Sequence, residues 1–337
     1  MVQPIPTTID FPTQLPVVQK GERWHARAGD KELRLSNLDK IYFPEAGYTK
    51  GDLLTYYFNV SPTMLPHLVE RPLTLRRMPE GIKGDFFYEK NAPSYTPEWI
   101  RTIPVGAESK TINYISVQDP ADMLWLVNLG CIEFHPLHAK GTDQEHPTYA
   151  FFDLDPMGRA GWEEVRYVAG LVRVVLDQLG IDSFPKTSGA TGMQIMVPLD
   201  GTHDYIEVRR FVGAVSAMVN RADKEATTLE WEVAKRGDAV YLDVNMNREG
   251  ANIAAAYSAR PEPEATVSTP FEWDELETIH PQDHTIVTIL DRIAEKGDPF
   301  APVAQEPGQS LAEAFAQLQP VIEAFNITGA ARRFPRD

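Results

Sequence analysis

Tyr149-Ala-Phe-Phe-Asp-Leu-Asp-Pro156 runs aromatic and apolar as far as Leu154, the pattern of a strand. Successive side chains on a strand point to opposite faces, so Asp153 and Asp155 share one face roughly 6–7 Å apart. Two carboxylates that close repel unless a cation sits between them. A hard divalent ion such as Mg2+ or Mn2+ suits them. Pro156 stops the strand and leaves the pair at its end. The plainer reading is that two surface acids end an edge strand and cap the next segment, and this stretch alone leaves both open.

The 337 residues fit one large domain or two fused modules, with apolar content ample for a core. The net charge of -16 argues against non-specific coating of a polyanion, though a local basic groove on an acidic body remains compatible with it. The one cysteine, Cys131, permits no intramolecular disulfide and lies in an apolar run, which reads as buried and structural. Neither a membrane-span pattern nor a charged-then-apolar leader pattern is present, and a cytosolic protein is expected.

Outward from the acidic strand, the chain divides by pattern. Residues 1–22 are proline-rich without a period and predict an arm or a surface strap. Residues 23–35 alternate weakly, as a hairpin would. Thr49 predicts the N-cap of a helix from 50 to about 60. With Lys40 and Lys50 nearby, that helix start is a candidate phosphate site; ordinary solvated lysines are the plainer alternative. A strand ending in Arg76 and Arg77 directs only one of them into any given site. In Phe86-Phe87-Tyr88 three consecutive aromatics cannot all face one core, so either one is surface, where it could stack on a base, or the strand is buried on both faces.

A helix is expected over 121–128 and a strand over 131–135. His135 ends that strand, and the short polar connection 140–147 suggests that it lies beside the acidic strand. Val165, Ala169, Val172, Leu176 and Leu179 make one stripe of a helix over 162–179 that Gly180 closes. A hydroxyl- and glycine-rich loop, Thr187-Ser-Gly-Ala-Thr-Gly192, then feeds an apolar strand, and its amides with Ser188 and Thr191 could hold phosphate oxygens. It is not a P-loop, because the strand comes after the glycines and no GK[ST] is present. A second amphipathic helix covers 208–220. In a strand over 240–245, Asp243 lies among apolar neighbours and is costly there unless paired or bound to metal. It supplies the third acid that a two-metal site usually needs. Helical structure is expected from 271 and again over 311–325, with a basic tail at 332–336.

Four ordered segments carry a family resemblance: LSNLDKIYFPEAGYTKGDLLTYY at 35–57, VNLGCIEFHPLHAKGTDQEHPTYAFFDLDP at 127–156, TSGATGMQIMVPLD at 187–200 and VYLDVNMNREGANIAAAYSARPEPEATVSTPFEWDEL at 240–276. From about 33 to about 298 the chain resembles the polymerase domain of bacterial ligase D, in the archaeo-eukaryotic primase superfamily. The resemblance implies an α/β (α+β) fold: an RRM-like catalytic sheet in a module at about 131–260, packed against an N-terminal α/β module at about 23–130. A helical extension is placed at 301–337. It implies that Asp153, Asp155 and Asp243 bind two divalent ions, Mn2+ or Mg2+. Nucleotide contacts are implied for His135, Ser188, Gly189, Thr191, Gln194, Arg260 and Arg76. Lys40 and Lys50 fall where the family grips a downstream 5′-phosphate, Asn37 is implied as a DNA contact, and Phe87 and Tyr88 fall where aromatics stack on the template. The implied reaction is gap-filling extension of a primer by an NTP or dNTP in DNA repair, tolerant of ribonucleotides.

Three positions depart from the family pattern: Thr191 stands for a usual Lys, Gln194 for a His and Met246 for a Gln. Activity is still expected because the acids are intact. The start at Met1, the C-terminal extension and the lack of a ligase or nuclease module suggest a stand-alone polymerase. A separate ATP-dependent DNA ligase, and the Ku end-binding protein, would then be its partners on gapped or broken DNA, with no membrane and at the nucleoid. Two alternatives stay open. A glycosyltransferase-type Asp-Leu-Asp motif leaves Asp243 and the lysines without a task. A catalytically weakened DNA-end-binding module leaves the intact acids unexplained.

Overall fold

The structure, a computed structural model, describes residues 3–4, 15–21, 23–107 and 110–330. Most of the arm expected over 1–22, and the basic tail at 332–336, lie outside the described residues. The described residues fall into two compact units. The first runs to Leu137 and takes in Ile253–Thr269 and Gln282–Asp298; the second holds His138–Asn252, Pro270–Pro281 and the chain from Pro299 onward.

The first unit opens with an antiparallel meander, β1 (Gln3–Pro4), β2 (Pro16–Lys20), β3 (Arg23–Ala28) and β4 (Lys31–Leu35). The expected hairpin is β3–β4, turned at Gly29 with φ +62. A small ladder of β5 (Ile41–Phe43) and β6 (Tyr48–Thr49) leads into helix α1 (Lys50–Met64). Thr49 caps α1 as expected: its Oγ1 accepts from Asp52 N, while its own N donates to the Asp52 carboxylate at 2.6 Å. Reciprocal capping of this kind is worth about 1 kcal/mol. The helix runs one turn beyond the expected end. Tyr56 and Tyr57 are wholly buried on it, and their hydroxyls donate to the carbonyls of Tyr257 and Ile132, both at 2.6 Å, so neither phenol is left unsatisfied.

A second sheet contains β7 (Leu73–Arg77), β8 (Phe87–Glu89), β9 (Arg101–Ala107), β10 (Lys110–Ser116) and β11 (Cys131–Pro136) in the order β11-β7-β10-β9, with β8 on residues 75–77 of β7. Helix α2 (Pro120–Asn128), capped by Asp119, precedes β11. Cys131 is wholly buried, as expected. The structure corrects the expected neighbour of β11. That strand pairs with β7, and the acidic strand belongs to another sheet. Pairing with β7 sets Glu133 opposite Arg76. A buried carboxylate gains a counter-charge there, which a place among acids would deny it.

The second unit is built on the acidic strand, β12 (Tyr149–Pro156), with β13 (Phe184–Thr187), β14 (Met193–Pro198), β15 (Thr227–Thr228) and β16 (Val240–Leu242) in the order β13-β14-β12-β16-β15. Helices α3 (Trp162–Gln178) and α4 (Tyr205–Ala222) bury their stripes against it: Val165, Val168, Val172 and Leu176 from α3, Val208, Phe211, Val215 and Val219 from α4. Leu311, Ala314, Leu318 and Ile322 join the same core. The residues expected as a separate C-terminal extension therefore complete this unit. The division after Leu137 also differs from the expected boundary near 130, and 253–269 returns to the first unit. At 271 the expected helical start is a single turn, Trp273–Glu275.

Candidate active site

The candidate functional side chains form three groups, one in the second unit and two in the first. In the second unit, β12 sits at the centre of its sheet, and Asp153 lies directly across from Gln194 on β14, which lies across from Lys186 on β13. The register becomes a hydrogen-bonded chain. Lys186 Nζ donates to Gln194 Oε1 at 2.7 Å, and Gln194 Nε2 donates to Asp153 Oδ1 at 2.9 Å. Lys186 is 1 % exposed and Gln194 5 % exposed, so this chain is a fixed part of the core. Gln194, implied at the nucleotide, is here the partner of an acid.

Asp243 needs a correction. The strand expected over 240–245 ends at Leu242, and Asp243 caps the next turn, accepting from Asn245 N at 3.0 Å. Its own N donates to the Asp153 carbonyl at 3.1 Å, which pins the third acid beside the first. Burial raises the pKa of all three acids. The charges of Asp155 and Asp243 raise Asp153 further, and burial with Asp243 pushes Asp155 up to about 6. Arg236, stacked 3.5 Å over the Tyr241 ring, and Lys186 oppose the shifts without cancelling them. Three clustered, mutually repelling oxygen donors are the donor set a hard divalent cation prefers. Among the described residues no three His, Cys, Asp or Glu side chains stand together in ligand geometry, so the acids fit a metal by charge and donor type rather than as a preformed cage.

The loop between β13 and β14 is closed on itself. Ser188 Oγ accepts from Ala190 N at 3.1 Å and Gly192 N at 2.9 Å, and Ser188 N donates to the Gly192 carbonyl. The expectation of exposed amides is therefore corrected for Ser188, Ala190 and Gly192. Gly189 takes φ +73, and Thr191 is the exposed residue of the turn. Only glycine fits at Gly192, because a Cβ there would meet the Leu154 carbonyl at 2.5 Å and Asp155 Oδ1 at 3.4 Å.

In the first unit a wholly buried carboxylate, Glu133, gathers three of the expected nucleotide residues. Its Oε1 accepts from Arg260 Nε, and its Oε2 lies 3.0 Å from Arg76 Nη1 and 3.3 Å from His135 Nε2. Burial alone would raise its pKa, yet the His135 hydrogen bond and the charges of Arg260 and Arg76 hold it at about 2. Arg76 and Arg77 do part, as strand alternation requires: Arg77 pairs with Glu89 and with the Leu129 carbonyl. Phe86, Phe87 and Tyr88 are all about half exposed, so the doubly buried strand is not what forms. Arg76 lies 4.3 Å from the Phe86 ring and Arg77 5.1 Å from the Phe87 ring, while Tyr88 stands edge-on to His135.

Lys40 and Lys50 meet at the start of α1. Lys50 is 3 % exposed and donates through Nζ to the Ser36 carbonyl at 2.7 Å. Burial, then the charge of Lys40, lowers its pKa to about 8. Lys40 donates to the Pro79 carbonyl at 2.8 Å and pairs with Glu80. The amides of Lys50, Gly51 and Asp52 are bonded within the protein, so the helix start itself offers them to no phosphate. Asn37 is exposed, with φ +54.

Sequence reasoning missed Glu133, Lys186 and Arg236. The signal that singled out Asp243, an acid in an apolar run, is equally present in Cys-Ile-Glu-Phe-His, and alternation from Glu133 to His135 places both on one face of the strand.

A sequence profile of the LigD primase-polymerase domain matches residues 49–300. The chain belongs to the LigD primase-polymerase domain family. It is 32 % identical over 285 residues to the bifunctional non-homologous end joining protein LigD of Bacillus subtilis, covering 84 % of this chain and 46 % of that protein. To the multifunctional LigD of Mycolicibacterium smegmatis it is 28 % identical, over 81 % of this chain and 36 % of that protein. The chain thus spans less than half the length of these relatives. Among solved structures, the polymerase domain of Mycobacterium tuberculosis ligase D in complex with DNA superimposes with a TM-score of 0.77 at 27 % identity, covering 81 % of this chain and 98 % of that one. The LigD polymerase family has a mixed α/β, archaeo-eukaryotic primase-like fold, and its members are DNA-directed nucleotidyltransferases; the present chain is one by fold and by family. No helix among the described residues is long and apolar enough to cross a membrane.

Proposed function

We propose that the chain extends a primer across a gap or break in DNA during repair, adding NTPs or dNTPs. The primer 3′-hydroxyl oxygen would bond to the α-phosphorus as the bond to pyrophosphate breaks. The observation that carries this reading is the acidic cluster, one buried carboxylate and two half-buried ones whose mutual repulsion has no structural use. Asp153, Asp155 and Asp243 would hold two divalent ions, Mn2+ or Mg2+, with small rotamer changes. Such ions supply a more acidic 3′-hydroxyl and a neutralised leaving pyrophosphate. Gln194, itself held by Lys186, donates to Asp153 Oδ1 and so steadies that carboxylate. Arg76 and Arg260 carry positive charge suited to a triphosphate, His135 adds a hydrogen-bonding ring beside them, and Thr191 offers an exposed hydroxyl. Lys40 and Lys50, with Asn37, would receive the 5′-phosphate of the downstream strand, and Phe87 and Tyr88 present rings on which template bases can stack.

The end-joining relatives suggest the pathway, with a separate ATP-dependent ligase sealing the product and Ku holding the ends. Extension of a labelled primer over a one-nucleotide gap tests the core of this. Wild-type protein with Mn2+ should incorporate, and D153A/D155A should lose incorporation by a thousandfold or more, roughly the scale of losing the groups that act in the transition state. Incorporation by the double variant at the wild-type rate would sink the assignment. DNA-end binding without incorporation by the wild type would favour the end-binding module instead.

A further inference from the structure

Glu133 is a wholly buried charge in the first unit, and neither the acidic cluster nor the lysine pair uses it. Its own side chain is 0 % exposed, whereas those of Arg76, Arg260 and His135 around it are 20 %, 18 % and 12 % exposed. The carboxylate is out of reach of any ligand, and the three nitrogen-bearing groups it binds are not. Each guanidinium takes a different oxygen, Arg260 through Nε on Oε1 and Arg76 through Nη1 on Oε2, so the carboxylate fixes the spacing of the pair. His135 shares Oε2 through Nε2, which fixes which ring nitrogen carries that proton. Without the anion, two guanidiniums in so small a space repel and turn away.

We propose that Glu133 is the positioning residue for polyphosphate binding: a buried anion that holds Arg76, Arg260 and His135 in the arrangement that receives the triphosphate of an incoming nucleotide. The inference rests on the polymerase reading. The carboxylate subtracts one charge from the cluster and in return orders two arginines before the ligand arrives. Ordering of that kind strengthens binding chiefly by lowering the entropy lost on association. A carboxylate serving only to bury two arginines would make the same contacts, so the test must separate the two.

Glu133→Gln keeps the shape and removes the charge. Nucleoside triphosphate binding, measured at equilibrium, and steady-state incorporation with the nucleotide varied should both be followed. E133Q should raise the nucleotide Kd and KM by about tenfold, with kcat changed less than about threefold and affinity for gapped DNA unchanged, a size matching loss of one charge-assisted contact. In an R76Q/R260Q background, E133Q should add less than about twofold. An unchanged nucleotide Kd, or a full and independent effect in that background, overturns the proposal. If E133Q does not fold, R76Q and R260Q alone decide it. A lone remaining arginine can take both carboxylate oxygens and withdraw from the ligand, so each single variant should weaken binding nearly as much as the double. Strict additivity would refute it. Wild-type protein that incorporates nucleotide while E133Q is unaltered defeats only the role of Glu133; wild-type protein that binds no triphosphate defeats the polymerase reading with it.

Discussion

Asp155 states the energetic problem of the acidic cluster most directly. Its pKa rises from 3.8 to about 6 because burial and Asp243 both disfavour the ionised form. A group whose folded pKa is raised contributes its stability below the unfolded value and loses it as pH climbs through the folded one. The metal-free protein is therefore handicapped above about pH 6 by this residue. Asp155→Asn should be more stable than wild type in urea at pH 8 with a chelator present, by about 1–2 kcal/mol after allowing for partial exposure, and the gain should vanish below pH 4. Adding Mn2+ at pH 8 should stabilise the wild type and leave the variant unmoved. A pH-independent gain would mean that lost strain, and not lost repulsion, explains it. The same residues explain what the sequence made legible. Asp153, Asp155 and Asp243 stood out because a carboxylate in or at the end of an apolar strand is costly unless it is paired, capped or bound to a cation. The bond between Gln194 and Asp153 was not legible, because it is set by strand register, which is a long-range property.

At the scale of elements, legibility followed length and capping. Helix α1 could be placed from Thr49, and α3 from its stripe, since both signals are local. Strand β16 was drawn too long because its three residues run into a turn that Asp243 caps. The return of 253–269 to the first unit has no periodic signal at all, so the partition of the chain was out of reach. Helix α1 also carries a prediction. Its first residue, Lys50, has a pKa lowered to about 8 by burial and by Lys40. At pH 7 the ammonium is charged and suits a 5′-phosphate; above pH 8.5 an unliganded Lys50 is mostly neutral. The preference for a gapped substrate with a 5′-phosphate over one with a 5′-hydroxyl should fall about fivefold or more from pH 7 to pH 9, whereas extension of a simple primer should not track it. Lys50→Ala should abolish the preference at either pH while sparing simple extension. Equal loss on both substrates would assign Lys50 to the fold, through its bond to the Ser36 carbonyl.

For the whole molecule the governing quantity is charge. A net -16 repels the phosphate backbone, so affinity for DNA has to come from few, local contacts. In the described first unit several cations are already neutralised in part: Lys40 by Glu80, Arg77 by Glu89, Arg76 by Glu133. Sequence-independent affinity scales with phosphates neutralised, at a slope of about -0.9 in log K against log salt for each. A protein neutralising the two charges of one terminal 5′-phosphate with Lys40 and Lys50 should then show a slope of about -2 on a phosphorylated gap, about -0.9 for each charge, and close to zero on intact duplex. Removing either lysine should make the first slope shallower by about one. Binding measured by anisotropy from about 50 to 200 mM salt would decide the matter. A slope of about -6 or steeper on intact duplex would reveal an extended basic track, and recognition by ends would then give way to recognition of the duplex itself.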